Sequence, residues 1–390
     1  MKMMERWIEV DLSKLAHNFR LIRQALPAEV KLLAVVKADA YGHGLVPVGR
    51  LFAELGADYL GVTDIAEGEA LRQAGVTVPI LVFAPFLPEE LSRLVAADLT
   101  ATLSNLTQLR ALAEQKLDFS AHLKLETGLG RTGFKPGEEL REAITLLADQ
   151  PQITVQGVYT HFATAMWSDD RYVKEQLTLF DQGVQQLAAA GYAGLIRHAA
   201  NSAAMMKYPQ ARLDMVRAGT ILYGQEGEAY QKQLGGTLED GWSLKARVVA
   251  LEKLPKGHGV GYERAYITKR PTTVAIVPVG YSHGVGVEPV LRTKRLKDAL
   301  KSVAKTMLRY VDHPRMRVYV TGRGKKMPIL GKVAMQLLMA DATDVPDLAV
   351  GDVVTVPARR TTINGTLPKV YLPAAEAGDI GQTGQEFTDI

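Results

Sequence analysis

The run Lys31-Leu-Leu-Ala-Val-Val-Lys37 predicts a buried β-strand, because five apolar residues follow one another between its two lysines. An amphipathic helix is predicted just before it, since apolar residues recur at intervals of three and four from Leu12 to Leu26. Asp11 stands where the N-cap of that helix is expected. This helix and this strand begin an alternation that continues along the chain.

Similar apolar runs, each short enough for one strand, recur after Lys37. They cover Tyr59–Val62, Pro79–Phe83, Thr100–Leu103, Ala121–Leu125, Val155–Tyr159, Leu195–Arg197 and Met215–Tyr223. Helical patterns lie between them, including Pro88–Ala97, Gly137–Ala148 and Tyr172–Ala190. Eight strands that alternate with helices predict an α/β fold, a (β/α)8 barrel of the TIM type, over residues 12–232.

The pattern changes after Gly224 to strands rich in Val and Thr that are separated by turns. The predicted strands are Leu244–Leu251, Thr273–Val279, Arg317–Thr321, Met327–Val333 and Asp352–Val356. They predict a mainly β C-terminal domain over residues 233–390, with residues 1–11 as candidate members and a helical insertion near 292–312.

Composition narrows the class of protein. A net charge of +4 over 390 residues gives no reason to expect a nucleic acid or a membrane as partner, so a small molecule is the expected ligand. The absence of cysteine excludes disulfides, thiolate metal sites and a cysteine nucleophile. No apolar run is long enough to span a bilayer, and the first ten residues carry charges where a signal peptide needs an apolar stretch. We therefore expect a cytoplasmic protein without a metal site.

The active site of such a barrel is built at the C-terminal ends of its strands. Lys37 ends the first strand directly after apolar residues, and desolvation there would make its amine a nucleophile; the alternative is a lysine that extends from the barrel rim into water. The fifth strand leads into a glycine-rich loop that carries Arg131, which suits a carboxylate or phenolate oxygen but is equally compatible with a surface loop.

Polar residues also follow the sixth and seventh predicted barrel strands or lie within the eighth. They are His161, His198, Asn201, Ser202 and Arg217. Each could be an isolated rim residue, but together they predict one polar mouth, in which Ser202 and the backbone of Gly219 and Thr220 would form a phosphate cradle.

These segments resemble those of the alanine racemase family in order and spacing over nearly the whole chain. The decapeptide around Lys37 resembles the cofactor-lysine signature of that family, and the segments of the polar mouth resemble its other barrel motifs. The second domain adds Gly259-Val-Gly-Tyr262-Glu-Arg-Ala-Tyr, Val279-Gly-Tyr281-Ser-His-Gly and Gly331-Lys-Val-Ala-Met335. Matches on both domains identify the chain as a member of this family.

The resemblance implies an enzyme that interconverts L- and D-alanine, or a related small amino acid, with pyridoxal 5'-phosphate bound covalently to Lys37. Lys37 and Tyr262 are the implied acid/base pair, and inversion needs one on each face of Cα. Tyr262 is implied to come from the partner subunit of a homodimer, so that the two active sites are shared.

The resemblance also implies roles for the other site residues. Arg217 would face the pyridine nitrogen and join His198 in a hydrogen-bonded chain to Tyr262. Arg131 would contact the phenolic oxygen and the substrate carboxylate, oriented by Lys124, which is carbamylated in many relatives. The remaining implied roles are cofactor binding by Tyr41, His161, Asn201, Ser202, Gly219 and Thr220, and substrate binding by Met335 and Tyr281.

Three departures from the family pattern concern the substrate side. Gln336 stands where relatives have an aspartate, and His283 stands where an aspartate is usual in the entrance motif. The stretch Thr362-Ile-Asn-Gly-Thr-Leu contains no tyrosine, although relatives use one near here to hold the phosphate. Serine, a larger amino acid or an anionic one is therefore an alternative substrate.

Two other classes of protein have a related architecture. A pyridoxal-phosphate decarboxylase of basic amino acids would use a cysteine as proton donor and an acidic partner for the pyridine nitrogen, whereas this chain has no cysteine and offers Arg217. A non-catalytic cofactor-binding protein remains an alternative, since a fold by itself does not establish activity.

The insertion near 292–312 carries four basic residues at intervals of four, namely Lys297, Lys301, Lys305 and Arg309. One interpretation is a solvated outer face, with the helix docked to the body by Leu296, Leu300, Val303 and Met307. The other is a basic stripe near Tyr281 that raises the local concentration of anionic substrates.

Overall fold

A computed structural model describes residues 4–167, 169–225, 227–287, 296–310 and 313–373. The chain divides into two compact units. One is Asp11–Gly241, and the other is Trp242–Leu372 together with the residues up to Val10. The two units are called the barrel unit and the β unit below.

The strands of both units are numbered in chain order. They are β1 (Arg6–Asp11), β2 (Lys31–Val35), β3 (Tyr59–Val62), β4 (Ile80–Val82), β5 (Ala101–Leu103), β6 (Phe119–Lys124), β7 (Ile153–Tyr159), β8 (Ile196–His198), β9 (Met215–Ala218), β10 (Trp242–Arg247), β11 (Ala250–Leu254), β12 (Gly259–Val260), β13 (Tyr266–Ile267), β14 (Thr272–Val277), β15 (Tyr319–Gly322), β16 (Lys325–Pro328), β17 (Leu338–Asp341), β18 (Val353–Val356) and β19 (Lys369–Leu372).

The helices are numbered in the same way. They are α1 (Leu12–Gln24), α2 (Lys37–Gly42), α3 (Leu45–Glu54), α4 (Ile65–Gln73), α5 (Leu91–Ala96), α6 (Leu106–Ala113), α7 (Glu138–Ala148), α8 (Arg171–Ala189), α9 (Ser202–Lys207), α10 (Gly227–Leu234) and α11 (Leu296–Tyr310). Within the described ranges, none of these helices is long and apolar enough to cross a bilayer.

The barrel unit confirms the predicted (β/α)8 fold. Its parallel strands form two ladders, in the orders β4-β3-β2-β9 and β5-β6-β7-β8. Hydrogen bonds join the ladders on both sides, from the Val82 N–H to the Thr100 carbonyl at 2.9 Å and from the Arg217 N–H to the Ala200 carbonyl at 3.0 Å. The strands therefore close into a barrel whose C-terminal ends lie at one rim.

The helix that precedes the first barrel strand begins as predicted. Asp11 is extended and its Oδ1 accepts the N–H groups of Ser13 at 3.0 Å and Lys14 at 3.3 Å, so two backbone donors of the first turn of α1 are satisfied. The apolar side of α1 is buried at Leu15 and Phe19. This packing attaches α1 to the barrel, because burial of each large apolar side chain contributes about 1.5–3 kcal/mol.

The last predicted barrel strand, Met215–Tyr223, is too long. Strand β9 ends at Ala218, and a 3₁₀ turn covers Thr220–Tyr223. The break occurs because the Gly219 N–H donates to Ser202 Oγ at 2.9 Å instead of to a strand partner. This break leaves the backbone at Gly219 and Thr220 facing the rim cavity.

The β unit contains a six-stranded sheet in the order β16-β15-β18-β10-β1-β19 and a three-stranded sheet in the order β11-β14-β17. The predicted strand Leu244–Leu251 is wrong, because β10 and β11 are separate strands in different sheets. The predicted strand Met327–Val333 ends at Pro328. It cannot extend to Val333, because Gly331 has a φ of +66°, which is outside the range of a β-strand. Strands β1, β17 and β19 were not predicted, since they are short and lack clear alternation.

Helix α11 lies inside the predicted insertion, whose other parts, residues 292–295 and 311–312, fall outside the described residues. The expectation that apolar residues dock this helix to the body is wrong for the side chains described. Leu300, Val303 and Met307 are 60%, 62% and 62% exposed. The helix therefore presents apolar side chains to solvent.

Candidate active site

A cavity of about 530 Å³ opens at the rim where the barrel strands end. Every barrel residue predicted for the site except His198 lines it. The predicted residues that line it are Lys37, Tyr41, Lys124, Arg131, His161, Asn201, Ser202, Arg217, Gly219 and Thr220. The polar groups that follow different strands are thus brought to one place, as the barrel topology predicts.

The segment numbered α2 is a left-handed turn rather than a regular α-helix, and it shapes the first side of the cavity. The four residues from Ala38 to Tyr41 have φ between +50° and +56°, although none is a glycine. This conformation costs about 1–2 kcal/mol for each residue, so the surrounding structure must hold the turn in place. The turn sets the positions of Lys37 and Tyr41, which stand at its two ends.

Glu67, which the sequence did not single out, holds this turn. Its Oε1 accepts the N–H groups of Ala38 at 2.5 Å and Asp39 at 3.4 Å. Its Oε2 accepts the Thr63 N–H at 2.8 Å. One carboxylate on α4 therefore ties the turn after β2 to the loop after β3.

The amine of Lys37 has a lowered pKa. Burial is the main cause, the nearby Arg131 cation adds to it, and Glu67 partly opposes it by raising the pKa. A lysine with a lowered pKa carries more of the neutral, nucleophilic form near neutrality. The reading of Lys37 as a solvated rim lysine is therefore disfavoured.

Ser202, Gly219 and Tyr41 form a cradle at one end of the cavity. A Cβ added at Gly219 would lie 2.6 Å from Tyr41 Oη, so only glycine permits this approach. Burial raises the pKa of Tyr41 to about 12, which keeps its hydroxyl as a hydrogen-bond donor. Asn201 caps α9 through its Oδ1, which accepts the Ala204 N–H at 3.0 Å, and this sets the start of the helix at the cradle.

Arg217 is buried at the base of the cavity and donates to several groups at once. Its Nη2 donates to the carbonyls of Thr160 at 2.6 Å and Ala199 at 3.0 Å, and its Nη1 donates to the His198 carbonyl at 2.9 Å. Its guanidinium carbon lies 5.2 Å from the centre of the Tyr159 ring. Burial lowers the pKa of Arg217 to about 10, which still leaves it charged at neutral pH.

A chain of neutral histidines continues from Arg217 into the barrel. Arg217 Nη1 lies 3.1 Å from His198 Nδ1, and His198 Nε2 lies 2.9 Å from His122 Nδ1. Burial and the Arg217 charge lower the pKa of His122 to about 4 and also lower that of His198. His122 was not predicted, because it lies within β6 and not at its end. The predicted continuation of this chain to Tyr262 stays a prediction.

His161 stands beside Arg217, with its Nδ1 at 3.4 Å from Arg217 Nη2. Burial, together with the charge of Arg217 and then of Arg131, lowers the pKa of His161 to about 3. The ring is therefore neutral and lines the cavity as a flat, uncharged surface.

The loop that carries Arg131 is organised by a second carboxylate, that of Glu126. Its two oxygens accept the N–H groups of Gly128 at 2.6 Å, Gly130 at 3.0 Å and Arg131 at 3.0 Å. These bonds lower the pKa of Glu126 although burial opposes them. Lys124 lies below the loop and donates to Thr132 Oγ1 at 2.7 Å. Burial, and then Arg131, lower the pKa of Lys124 to about 8.

The predicted site residues of the second domain lie in the β unit. Tyr262, Tyr281 and Met335 are 70%, 49% and 56% exposed. Two of them are neighbours, since the N–H and Oγ of Ser282 donate to the Met335 carbonyl at 3.0 and 2.7 Å. The Tyr281 turn and the Met335 segment thus form one exposed surface.

The departures from the family pattern surround that surface. His283 is buried, and its Nδ1 accepts the Gly280 N–H at 3.1 Å, so this side chain stabilises the Tyr281 turn. The segment without a tyrosine packs on the same turn, because a Cβ at Gly284 would lie 2.6 Å from the Thr362 carbonyl. Gln336 is exposed.

The cavity fits pyridoxal phosphate in three respects. The cradle offers hydroxyl donors for an anion, Lys37 offers a nucleophilic amine for a carbonyl carbon, and Arg217 offers a buried permanent cation for a ring nitrogen. No cluster of acidic and histidine side chains suited to a metal ion occurs among the described residues. The fold and the site together define a pyridoxal-phosphate-dependent enzyme of the barrel-plus-β class.

Comparison with known families makes this assignment narrower. Residues 10–227 match the family described as alanine racemase, N-terminal domain, and residues 242–370 match alanine racemase, C-terminal domain. The chain belongs to the alanine racemase family and is a pyridoxal-phosphate-dependent isomerase.

Individual relatives agree with the family assignment. The alanine racemase of Desulfosudis oleivorans is 36% identical over 363 residues, which cover 90% of this chain and 86% of the relative. A solved alanine racemase of Clostridium difficile has a TM-score of 0.82 at 28% identity, covering 95% of this chain and 96% of that one. The alanine racemase of Bacillus anthracis with bound L-Ala-P has a TM-score of 0.81 at 28% identity, covering 96% and 97%.

Proposed function

We propose that this chain interconverts L- and D-alanine, with Lys37 and Tyr262 as the two acid/base groups. The observation that carries the proposal is the lowered pKa of Lys37 at the mouth of a cavity that ends in an anion cradle. The relatives named above are alanine racemases, and one of them was solved with L-Ala-P bound.

The cofactor, when bound, withdraws electrons from the substrate Cα and so makes its proton acidic. Lys37 would hold it covalently until the substrate amine takes the place of the Lys37 amine, which is then free to act as a base. Tyr41, Asn201, Ser202, Gly219 and Thr220 would surround the cofactor's phosphate. These residues suit the task because the cradle is formed by hydroxyls, an amide and backbone groups.

Arg217 and His161 would contact the ring. Arg217 keeps its proton at neutral pH, so it cannot pass one to the pyridine nitrogen facing it. We expect this to leave the ring nitrogen unprotonated and to favour return of the Cα proton over side reactions. His198 contacts the guanidinium inside the barrel, and His122 in turn contacts His198.

Proton exchange at Cα would need an acid/base group on each face. Lys37 would remove the proton from one face, and Tyr262 would donate a proton to the opposite face, so that the configuration inverts. Arg131 would hold the substrate carboxylate, with Lys124 below its loop. The backbone at Met335 would hold the substrate, and Tyr281 would narrow the entrance.

Tyr262 would be supplied by the partner subunit of a homodimer. This proposal rests on the high exposure of Tyr262, together with the exposed surface that Tyr281 and Met335 share. An acid/base group that is open to solvent in the single chain needs a second surface to exclude water from the reaction.

The proposal is tested with L-alanine in deuterated water. The holoenzyme should produce D-alanine with deuterium at Cα, and Lys37→Ala should abolish the exchange. Lys31→Ala, at the exposed opposite end of the same strand, is the matched control and should leave the rate unchanged. Release of carbon dioxide without D-product would indicate a decarboxylase, and cofactor binding without exchange would indicate a binding protein.

Serine, larger and anionic amino acids belong in the same assay, because the exposed Gln336 replaces an acidic residue of the family. The shared site is tested separately by mixing Lys37→Ala and Tyr262→Phe chains. Partial recovery of activity is expected, because some mixed dimers contain one intact site. No recovery after demonstrated subunit exchange contradicts a composite site.

A further inference from the structure

Helix α11, Leu296–Tyr310, has two faces of opposite character. At 100° per residue, one side of the helix carries apolar positions and the other carries basic ones. The apolar positions are Leu296, Leu300, Val303, Met307 and Tyr310. The basic positions are Lys297, Lys301, Lys305 and Arg309, and Leu308, which is half-buried, lies on the same side.

The apolar face has no cover from the residues that the structure describes. Leu300, Val303, Met307 and Tyr310 are 60%, 62%, 62% and 87% exposed. Single exposed apolar residues are ordinary, but a contiguous row along one helix face marks a surface that binds something. The proposed racemase site does not use any of these residues.

The charges indicate the kind of partner. The helix carries four basic residues and one acidic residue, Asp298, so its net charge is 4 − 1 = +3. Like charges at intervals of four destabilise an isolated helix. A helix that only packed on protein would gain no stability from a row of charges of one sign. A basic row beside an apolar row is the pattern of helices that lie on anionic lipid surfaces.

A second copy of the chain fits this face less well. A helix of 15 residues is about 22 Å long, and a strip about 10 Å wide along it covers only about 220 Å². A stable protein interface needs about 800 Å² on each partner, and lysines are depleted from such interfaces. The size and charge of the face therefore favour lipid.

We propose that α11 is an interfacial helix that attaches this enzyme to anionic lipid surfaces. The apolar row enters the boundary between headgroups and acyl chains, and the lysines contact lipid phosphates. Each basic residue close to such a surface strengthens binding about fivefold, and salt screens the effect. The enzyme then works on its substrate next to a membrane although no described helix spans one.

The test is sedimentation of the full-length holoenzyme with vesicles. Vesicles of phosphatidylglycerol and phosphatidylcholine should carry the enzyme down at low salt, and vesicles of phosphatidylcholine alone should not. Lys301→Gln with Lys305→Gln should weaken binding about 25-fold. Lys253→Gln with Lys256→Gln removes the same charge from exposed lysines elsewhere in the β unit and should change binding less than twofold.

The apolar row is tested by Leu300→Ser with Met307→Ser, which should also reduce binding at least tenfold while circular dichroism and racemase activity stay unchanged. Failure of the wild type to bind anionic vesicles overturns the proposal. An equal loss in the Lys253 and Lys256 control overturns it as well, since the effect would then be one of net charge. If the serine variant lowers the oligomeric mass in sedimentation velocity while the wild type ignores vesicles, the face binds a second copy and the lipid proposal is wrong.

Discussion

Glu67→Gln should disable the enzyme without touching any residue of the proposed acid/base pair. The carboxylate accepts three backbone N–H groups, from Ala38, Asp39 and Thr63, and so spans the turn after Lys37 and the next loop. Glutamine keeps one acceptor oxygen but directs an amide donor at an N–H group. The Thr63 N–H, which is exposed, then has water as its acceptor in place of the carboxylate.

The magnitude follows from the hydrogen bonds and the strain. Loss of one hydrogen bond to the charged carboxylate costs about 1.5–3 kcal/mol. The left-handed residues from Ala38 to Tyr41 store about 4–8 kcal/mol in total, which favours release of the turn once its restraint is weakened. We expect the free energy of unfolding to fall by about 1.5–3 kcal/mol. We also expect kcat to fall at least tenfold, because Lys37 moves with the turn.

Glu69→Gln is the matched control. Glu69 lies two residues away on the same helix and forms an ion pair with Arg93 at 2.7 Å at the surface. Such a pair contributes no more than about 1 kcal/mol, and kcat should be unchanged.

The assays are urea denaturation and racemisation of alanine across pH. Glu67 raises the pKa of Lys37, so its removal should also shift the limb of the pH–rate profile that belongs to Lys37 toward lower pH. If Glu67→Gln and Glu69→Gln have the same stability and rate, the view that Glu67 restrains the turn is wrong.

Three further predictions concern the barrel. Gly157→Ala should lower the free energy of unfolding by about 1–3 kcal/mol, because the new Cβ would lie 2.7 Å from the His122 ring. The control is Gly365→Ala, which should be neutral in the same urea titration, because nothing lies within 4 Å of the new Cβ. Borohydride reduction of the holoenzyme followed by peptide mapping should place the cofactor on Lys37, and a label on another lysine would exclude that assignment. The pKa of His122, lowered from 6.5 to about 4, means that the unfolded chain binds more protons between these values. Stability should therefore be full above pH 6.5 and fall as the pH drops toward 4, by up to about 1.4 kcal/mol per pH unit for this residue, and His122→Leu should reduce that slope.

Several parts of the fold follow from local patterns in the sequence. Buried parallel strands need uninterrupted apolar runs, and these runs are visible at Lys31–Lys37 and at each later barrel strand. The predicted cap at Asp11 was confirmed for the same reason, since capping is a contact between residues two and three positions apart. The β unit was predicted less well, because its short strands carry little periodicity and β1 pairs with β10 and β19, which both lie far from it along the chain.

The residues of the site divide in the same way. Lys37, Arg131 and His161 were recognisable because each follows a strand, and the barrel topology brings strand ends together. Arg217 lies within the last barrel strand and was recognised through its motif. Glu67 and His122 were not recognisable. Glu67 accepts hydrogen bonds from a turn that lies 28 and 29 residues earlier in the chain. His122 contacts a histidine 76 residues later. Only the folded chain brings these residues together.

The order of the barrel strands, the position of Lys37 at the end of the first of them and the polar rim thus followed from the sequence alone, since they depend on which residue type stands at which local position. Tertiary structure decided what each of these residues is able to do. The lowered pKa of Lys37 depends on burial and on the charge of Arg131, and the neutral state of His122 depends on the barrel interior. The left-handed turn from Ala38 to Tyr41 is held in part by the carboxylate of Glu67, which lies far from it along the chain. Solvation, charge and strain are sums over neighbours in space, and those neighbours are set by the folded chain.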